Sequence, residues 1–288
     1  MVRIELYQYT APVITLGPEK NIYDTLQLMQ KNDIKRIVVV KNNLPTGIIT
    51  ERDIGKFLEK DKTIRTLDQI PLDEIMSTGL VTITLGTQDH LTQCAIRMET
   101  FQISSVIVVD DDGKLVGITT KSDLVKNFAN IYVGVYKVKD YMSKKIITCR
   151  KSDSLFFVLN MLNKNKVARV VVTDNEGKPI GMVTYDTFLR NSEYFKGGKQ
   201  DTRNYLLPTT SAKGMNVGDV VGNELLIVES EEDLTKAAKL MTEYKVSGVP
   251  TVDKDGNLEG IISSSDIVRA YSEVETHFRL IKKDPHFD

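Results

Sequence analysis

The sequence is poor in the residue types that build metal centres, disulfide frameworks and many catalytic sites. It contains two cysteines, three histidines and no tryptophan in 288 residues. Cys94 and Cys149 have no C-x-x-C spacing and are expected to have no neighbouring histidine, so we expect two buried thiols rather than a disulfide or a zinc site. The histidines at positions 90, 277 and 286 are scattered, and none is expected to lie beside a nucleophile or a second metal ligand at helical spacing. These absences argue against a catalyst.

Strong charge and long apolar runs are also missing. The 38 basic side chains nearly balance the 39 acidic ones, so there is no net field that would attract a nucleic-acid backbone. No apolar run approaches the roughly 20 residues that a membrane-spanning helix needs. The start, MVRIELYQYT, lacks the apolar centre of a secretory signal. With 41% hydrophobic residues to form cores, the chain is expected to be a soluble cytoplasmic protein without nucleic-acid or membrane partners.

One short phrase occurs four times in the sequence. It begins with glycine, continues with apolar residues and a hydroxyl residue, and in three copies has aspartate three positions after that hydroxyl. The copies are GIITERDI (47–54), GITTKSDL (117–124), GMVTYDTF (181–188) and GIISSSDI (260–267). A fixed phrase at a regular spacing indicates an internal structural repeat.

Each phrase begins 13 or 14 residues after the first residue of a β-branched stretch. These stretches are IKRIVVV (34–40), ISSVIVV (103–109), VARVVVT (167–173) and VSGVPTV (246–252). Turn formers between stretch and phrase, such as Asn42-Asn43 and Asp112-Gly113, predict a hairpin. A helical pattern precedes each hairpin, a short strand precedes that helix, and a second helix follows the phrase. Each unit is therefore strand, helix, strand, strand, helix, in roughly 55 residues.

These units define the expected domain organisation, which is an α+β fold of four repeats. A unit this small buries little surface alone, so the copies are expected to pack in pairs that share a core. The connections favour pairing the first repeat with the second and the third with the fourth. The expected segments are repeats at 10–60, 72–130, 138–194 and 217–273, a linker at 195–216 and a C-terminal tail at 274–288.

The phrase itself supports two chemical interpretations. A hydroxyl residue with an acid three positions later is typical of a capping box at a helix start. The same atoms suit a ligand, because a hydroxyl and helix amides meet phosphate or sugar oxygens and a carboxylate accepts both hydroxyls of a ribose diol. The glycine would let the ligand approach the backbone. Capping and binding are compatible uses of one geometry.

These features resemble the CBS domain, the repeat named for cystathionine β-synthase, whose paired form is called a Bateman module. The similarity rests on 246–267, on its counterparts at 34–54, 103–124 and 167–188, and on the lead-in segments LDEIM (72–76) and VKDYM (138–142). It extends from about residue 10 to residue 273. The four-repeat arrangement resembles the γ regulatory subunit of AMP-activated protein kinase and stand-alone microbial CBS proteins.

The resemblance implies that adenosine-containing ligands (AMP, ADP, ATP or S-adenosylmethionine) bind in clefts between paired repeats. It implies that ribose is held by three hydroxyl and aspartate pairs, namely Thr50 with Asp53, Thr120 with Asp123, and Ser263 with Asp266. Ile34, Ile103 and Val246 on the second strand would flank adenine, with core packing as the alternative. Phosphates would favour cations near the phrase, and five are within reach by sequence, with solvated surface charge as the alternative: Lys35, Arg36, Arg52, Lys121 and Arg169.

The third copy departs from the pattern. It has Thr187 where the aspartate is expected after Thr184, and its acid is displaced to Asp186. One position on a helix is a rotation of about 100°, so Asp186 points away from the expected site. The third repeat is expected to keep its fold and to have lost the usual ribose clamp.

The leading functional hypothesis is a non-catalytic regulatory protein. It would bind an adenine nucleotide as a regulatory ligand, require no other cofactor, and signal to an unidentified protein partner. The alternatives are a structural adaptor with empty clefts, a sensor of S-adenosylmethionine, and an enzyme. The four repeats would close a disc within one chain or between the two chains of a homodimer.

Overall fold

The predicted order of elements is present in all four repeats. A computed structural model of the chain describes residues 13–61, 65–191, 215–222 and 225–283. Each repeat contains a strand, a helix, two strands and a second helix, and the strands form four separate three-stranded sheets. The α+β class with four repeats is thereby confirmed. Most of the expected linker at 195–216 lies outside the described residues, as does the end of the tail at 284–288.

The first two repeats occupy the N-terminal half of the chain. Repeat 1 consists of β1 (Thr15–Leu16), α1 (Ile22–Asn32), β2 (Arg36–Lys41), β3 (Leu44–Thr50) and α2 (Glu51–Lys60). Two short 3₁₀ helices follow, Leu67–Gln69 and Leu72–Glu74. Repeat 2 consists of β4 (Thr82–Thr84), α3 (His90–Thr100), β5 (Ser105–Val109), β6 (Leu115–Thr120) and α4 (Lys121–Ile131).

The last two repeats have the same order of elements. Repeat 3 is preceded by α5 (Val138–Tyr141) and consists of β7 (Thr148–Cys149), α6 (Leu155–Lys164), β8 (Arg169–Thr173), β9 (Pro179–Thr184) and α7 (Tyr185–Asn191). Repeat 4 is preceded by a 3₁₀ helix, Val217–Asp219. It consists of β10 (Val228–Glu229), α8 (Leu234–Glu243), β11 (Gly248–Val252), β12 (Leu258–Ser263) and α9 (Ser264–Lys283). We call α2, α4, α7 and α9, which follow the repeated phrase, the signature helices.

Every sheet has its strands in sequence order. The first strand is parallel to the second, which requires the crossover helix between them, and the second is antiparallel to the third. In repeat 1 the hairpin turns through Asn42 and Asn43, whose φ angles of 54° and 65° are those of a type I′ turn. In the other three hairpins a glycine has positive φ, at Gly113, Gly177 and Gly256. The turn residues of the sequence therefore predicted the hairpins correctly.

The central strand of each repeat begins two residues later than the β-branched stretch predicts. In repeat 1, Arg36 pairs with Thr50, and Thr50 is the last residue of β3 before the chain turns into α2. Ile34 therefore has no residue of β3 opposite it and lies outside the strand. Ile103 and Val246 likewise lie two residues before the strands that begin at Ser105 and Gly248. The expectation that these three residues lie on the second strand was wrong.

The buried apolar side chains form two cores, and these do not follow the expected partnership. Repeats 1 and 3 share one core and repeats 2 and 4 share the other. Helix α2 packs against α6 and α7, and α4 packs against α8 and α9. The first core includes Ile22, Leu26, Ile54 and Leu58 with Val158, Leu162, Tyr185 and Leu189. The second includes Cys94, Met98, Leu124 and Phe128 with Ala238, Met241, Ile267 and Tyr271. The prediction that repeat 1 shares a core with repeat 2 was wrong.

The segments that lead into repeats 2, 3 and 4 each form a β-bridge with a repeat other than the one that they precede. Ser77, just after the lead-in of repeat 2 (72–76), forms a β-bridge with Ile48 of repeat 1. Ser143, just after the lead-in of repeat 3 (138–142), forms a β-bridge with Ile261 of repeat 4. Before repeat 4, Asn216 bridges to Ser154 of repeat 3. Each bridge lies within one compact unit, so the segments before repeats 2 and 4 belong to the unit of repeats 1 and 3, and the segment before repeat 3 belongs to the unit of repeats 2 and 4.

The glycine that opens the phrase makes room for these lead-ins. A Cβ atom at Gly47 would overlap Met76, and one at Gly181 would overlap Val221. At Gly260 it would lie 2.8 Å from Met142 Sδ. Each of these neighbours belongs to a lead-in segment rather than to a ligand cleft. The glycine at these three positions is therefore explained by close packing of protein on protein, which corrects the expectation of close approach by a ligand.

We predict that Gly181→Ala destabilises the fold. The added methyl would overlap the β-branched side chain of Val221, which has few alternative rotamers, so the free energy of unfolding should fall by about 1–3 kcal/mol. Gly79→Ala is the matched control, because nothing lies within 4 Å of the added atom, and it should change stability by no more than about 0.5 kcal/mol. Urea unfolding followed by circular dichroism measures both. Equal effects of the two variants would contradict the packing explanation.

Candidate functional site

The hydroxyl and aspartate of the phrase form the start of the signature helix. In repeat 1, the Asp53 carboxylate accepts hydrogen bonds through Oδ2 from the Thr50 hydroxyl at 2.6 Å and from the Thr50 backbone N–H at 3.0 Å. The Asp53 backbone N–H in turn donates to Thr50 Oγ1 at 3.3 Å. In repeat 2, Asp123 Oδ2 accepts from the Thr120 hydroxyl and the Thr120 N–H, both at 2.7 Å. The capping-box interpretation is therefore correct for both.

The cap occupies only one of the two carboxylate oxygens. Both capping bonds of each aspartate go to Oδ2. Across the residues that the structure describes, Oδ1 of Asp53 and Oδ1 of Asp123 accept no hydrogen bond. Both side chains are half-buried. Each cap thus leaves a carboxylate oxygen with two lone pairs for a further donor.

Repeat 4 has the same cap and one additional contact. Asp266 Oδ2 accepts from the Ser263 hydroxyl at 2.6 Å and from the Ser263 N–H at 2.9 Å. Its Oδ1 lies 3.5 Å from Arg269 Nη2. The Arg269 guanidinium donates to the carbonyl oxygen of Tyr141 at 2.9 Å and lies over the Tyr141 ring. This arginine connects the phrase of repeat 4 to the lead-in of repeat 3.

Repeat 3 has a cap without a carboxylate. The hydroxyls of Thr184 and Thr187 lie 3.3 Å apart, and each Oγ1 accepts from the backbone N–H of the other residue at 3.2–3.3 Å. The displaced acid, Asp186, accepts instead from Arg190 Nε at 2.6 Å. The helix start is satisfied, but no anionic acceptor stands at the position that carries aspartate in the other repeats.

The apolar residues expected beside adenine lie just ahead of the central strands. Ile34 packs at the edge of one core, and Ile103 and Val246 at the edge of the other, all three partly buried. Packing against the core is thus shown for them, and contact with a base remains a prediction.

The expected cations are distributed over several contacts. Arg36 and Arg169 are the first residues of β2 and β8. The Arg52 guanidinium lies over the ring of Tyr185, with 5.9 Å to its centroid. Lys121 donates to the Ser265 hydroxyl at 2.7 Å, and Lys35 acts electrostatically on Glu51. A role for these five side chains beside a phosphate remains a prediction.

The signature helices of core-sharing repeats meet near their first turns, which the sequence alone did not reveal. In repeats 2 and 4 this junction joins Lys121 to Ser265. In repeats 1 and 3, Glu51 and Asp186 line one crevice. Burial, together with the neighbouring Asp186 carboxylate, raises the pKa of Glu51 to about 8. The two junctions thus differ in charge, because the residues that face each other there occupy positions of the phrase that differ from copy to copy.

One histidine does lie beside a nucleophile, contrary to the sequence-based expectation. His90 Nε2 is 3.5 Å from Cys94 Sγ and 2.8 Å from Thr119 Oγ1, in the core of repeats 2 and 4. The two residues are four positions apart on α3, a spacing that could have been recognised. Burial lowers the pKa of His90 to about 4 and raises that of Cys94 to about 12. A neutral imidazole beside a neutral thiol is a packing contact, because the thiolate is the nucleophile.

Comparison with known proteins agrees with the repeat and its geometry. A family model for the CBS domain matches residues 4–60, 72–130, 138–194 and 217–273. The chain belongs to the CBS domain family. Its four CBS domains include most of the residues, and all four signature helices begin within the matched segments.

Several relatives cover nearly the whole chain. Protein MJ1404 of Methanocaldococcus jannaschii is 27% identical over 291 residues, and the match covers 96% of this chain and 65% of that protein. Protein MJ1225 of the same organism is 21% identical over 286 residues. The crystal structure of MJ1225, described as a candidate archaeal homologue of γ-AMPK, has a TM-score of 0.78 and covers 94% of this chain and 100% of that chain. At 21% identity, the likeness establishes the fold.

CBS domains also occur within an enzyme related to this chain. Inosine-5′-monophosphate dehydrogenase of M. jannaschii is 30% identical over 133 residues, but the match covers only 25% of the enzyme. In the described part of this chain, no helix is long and apolar enough to cross a membrane. The same residues contain no group of three or more metal-ligating side chains.

We predict that Thr50→Val destabilises the fold by removing the cap of α2. Valine keeps the shape of threonine but cannot accept from the Asp53 N–H or donate to its carboxylate, so the free energy of unfolding should fall by about 0.5–2 kcal/mol. Thr100→Val, at an exposed position at the end of α3, is the control and should be nearly neutral. Chemical denaturation of both variants measures the free energy of unfolding. Equal stability of the two would show that the Thr50 hydroxyl does not cap the helix.

Proposed function

We propose that this CBS protein is a non-catalytic regulatory protein that binds adenosine-containing ligands, with AMP, ADP or ATP as the principal candidates. The observation that carries the proposal is a carboxylate at the start of three signature helices whose cap uses only one oxygen; in repeat 4 the other oxygen, Asp266 Oδ1, lies 3.5 Å from Arg269 Nη2. In repeats 1 and 2, the cap fixes the aspartate through Oδ2 and leaves Oδ1 as an acceptor. We call each hydroxyl and aspartate pair with its remaining oxygen a clamp.

The clamp has the chemistry that a ribose requires. A vicinal diol presents two O–H donors close together, and a carboxylate oxygen with two lone pairs accepts both. Hydrogen bonds to an ionised acceptor are roughly twice as strong as neutral ones. The cap holds the carboxylate in one orientation before any ligand arrives, which reduces the entropy lost on binding. Three clamps, at Asp53, Asp123 and Asp266, are expected to bind and the Thr184–Thr187 pair is not.

A regulatory role follows from the position of the clamps at the signature helices. These helices build the cores that repeats 1 and 3, and repeats 2 and 4, share. A ligand that binds one arrangement of the repeats more tightly than another shifts the population toward it by its difference in affinity. An unidentified protein partner would recognise the favoured arrangement. The neutral His90–Cys94 pair lacks an activated nucleophile, which also favours regulation over catalysis.

We predict that Asp53→Asn, Asp123→Asn and Asp266→Asn each weaken adenine nucleotide binding in their own clamp. Asparagine retains an oxygen that can cap the helix but loses the negative charge, so affinity should fall about tenfold or more at that site. Thr187→Ala in repeat 3 is the control and should leave nucleotide affinity unchanged. Isothermal titration calorimetry measures each variant. A loss of similar size in Thr187→Ala would show that the phrase acts through folding.

We also predict a rank order of ligands in thermal denaturation. At about a thousand times its dissociation constant, AMP should stabilise the chain by roughly 4 kcal/mol per independent site. 2′-Deoxy-AMP should do less, because the carboxylate loses one of its two donors. GTP should also do less, because adenine donates a hydrogen bond where guanine accepts one.

The same ligand series separates the alternatives. Equal shifts with AMP, 2′-deoxy-AMP and GTP would refute both the ribose clamp and the adenine preference. A shift with S-adenosylmethionine alone would keep the clamp and change the ligand. Failure of every adenosine compound to raise the melting temperature would favour a structural adaptor.

A further inference from the structure

The clamp of repeat 4 differs from the other two because a cation lies beside its second carboxylate oxygen. The cap uses Asp266 Oδ2, and Oδ1 lies 3.5 Å from Arg269 Nη2. The two residues are three positions apart on α9, so their side chains lie on one face of the helix. The oxygen that repeats 1 and 2 leave for a further donor is therefore paired with an arginine in repeat 4.

Contacts with the lead-in of repeat 3 hold the Arg269 guanidinium in this position. It donates to the Tyr141 carbonyl oxygen at 2.9 Å and lies over the Tyr141 ring, with 5.3 Å to the ring centroid. The ring is itself held, because the Tyr141 hydroxyl donates to Glu273 and the Tyr136 ring packs against it edge-on, with centroids 4.9 Å apart. An exposed ion pair is usually weak because it must order two long side chains. Here the contacts with Tyr141 already order the arginine, which strengthens its pairing with Asp266.

The equivalent residues of the other two clamps are lysines. Lys56 and Lys126 stand three positions after Asp53 and Asp123, and both are exposed. Among the residues that the structure describes, neither ammonium group has a hydrogen-bond or ion-pair partner. A lysine ammonium on a flexible stem lacks the planar fork with which arginine contacts a carbonyl, a ring and a carboxylate at once. Of the three clamps, the one in repeat 4 alone has its second oxygen paired within the described chain.

Arg269 has room to move away from Asp266. Its side chain is 44% exposed and lines an open cavity of about 590 Å³ beside α5 and α9. The other residues that line this cavity are Tyr136, Asp140, Tyr141 and Glu273. The carboxylates of Asp140 and Glu273 give the cavity negative charge, which favours a guanidinium there as well. A change of the Arg269 rotamer therefore frees Asp266 without leaving the cation uncompensated.

We propose that Arg269 competes with the ribose of a ligand for Asp266 Oδ1 and thereby weakens the clamp of repeat 4. A ribose diol requires both lone pairs of that oxygen, and the arginine faces the same atom. Binding of the ribose requires Arg269 to withdraw into the cavity, and the energy of the lost pair is subtracted from the binding energy. The competition extends the response of the chain to higher ligand concentrations than it would reach without the arginine. This inference rests on the proposed function.

The first test compares the clamp of repeat 4 with and without its arginine. Asp53→Asn combined with Asp123→Asn confines tight binding to repeat 4, and adenosine is the probe because it carries no charge. Adding Arg269→Gln should raise adenosine affinity about two- to fivefold, because Asp266 Oδ1 loses its competitor. Isothermal titration calorimetry on the full chain measures the change. An unchanged or lowered affinity in Arg269→Gln would overturn the proposal.

The lysine of repeat 2 provides the matched control. Asp53→Asn combined with Asp266→Asn confines tight binding to repeat 2, where Lys126→Gln should leave adenosine affinity unchanged. This variant removes the same charge from the same helix position, but its ammonium has no partner among the described residues. An equal rise in Lys126→Gln would show that the loss of positive charge acts generally, and would refute competition at Asp266.

Salt dependence separates competition from a change in structure. Salt screens the attraction between the Arg269 guanidinium and the Asp266 carboxylate, whereas the hydrogen bonds of an uncharged ribose depend little on it. Adenosine affinity in repeat 4 should therefore rise between about 0.05 M and 0.5 M potassium chloride, and this rise should be absent in Arg269→Gln. The clamp of repeat 2 should show no rise either. The same salt response with and without Arg269 would contradict the competition.

The outcomes distinguish this inference from the proposed function. If adenosine binds in repeat 2 but Arg269→Gln fails to strengthen binding in repeat 4, the proposed function stands and the role of Arg269 is refuted. If adenosine binds in repeat 4 only after Arg269→Gln, the competition is supported in its strongest form. If adenosine binds to none of the clamps in the parent chain or in Arg269→Gln, the proposed function and this inference fail together.

Discussion

Packing of signature helices against the helices of another repeat is the constraint on which the structure depends. A three-stranded sheet with two helices buries too little apolar surface to be stable alone, so each repeat needs a partner. Ile54 and Leu58 of α2 supply that surface to repeat 3, and Leu124 and Phe128 of α4 supply it to repeat 4. The start of each signature helix must then be satisfied close to a shared core. The capping residues of the phrase do this, and the same residues form the clamps.

Local features of this fold were predictable from the sequence, because they depend on neighbouring residues. Asn42-Asn43 specify a tight turn, and a hydroxyl followed by an acid specifies a helix start. The start of the central strand was not predictable from β-branched residues alone, because it is set by the end of the strand opposite, as Thr50 sets it for Arg36. The choice of repeats that share a core depends on long-range contacts. The order of the repeats along the chain therefore led to the wrong prediction.

The candidate site shows the same division between local and long-range information. The aspartates of repeats 1, 2 and 4 stand at equivalent helix positions because the phrase fixes them. The proximity of Glu51 to Asp186, which line one crevice, has no sequence signal, because it depends on which two helices meet. The residues of the phrase that vary between copies therefore determine contacts between repeats, whereas the constant residues determine the start of the helix. Repeat 3 has no acid at the expected helix position 187 but has Asp186 one position earlier, in a crevice lined by residues of repeat 1.

The exchange of partners between lead-ins and cores has a consequence for synthesis of the chain. Repeat 1 receives its lead-in contact from the segment just after it, but its core is completed only by α6 and α7. At a translation rate of roughly 5–20 residues per second, α2 waits several seconds for those helices to appear. During that interval the apolar face of Ile54 and Leu58 is exposed. A nascent chain of this architecture must therefore be protected by its own intermediate structure or by a chaperone until repeat 3 has left the ribosome.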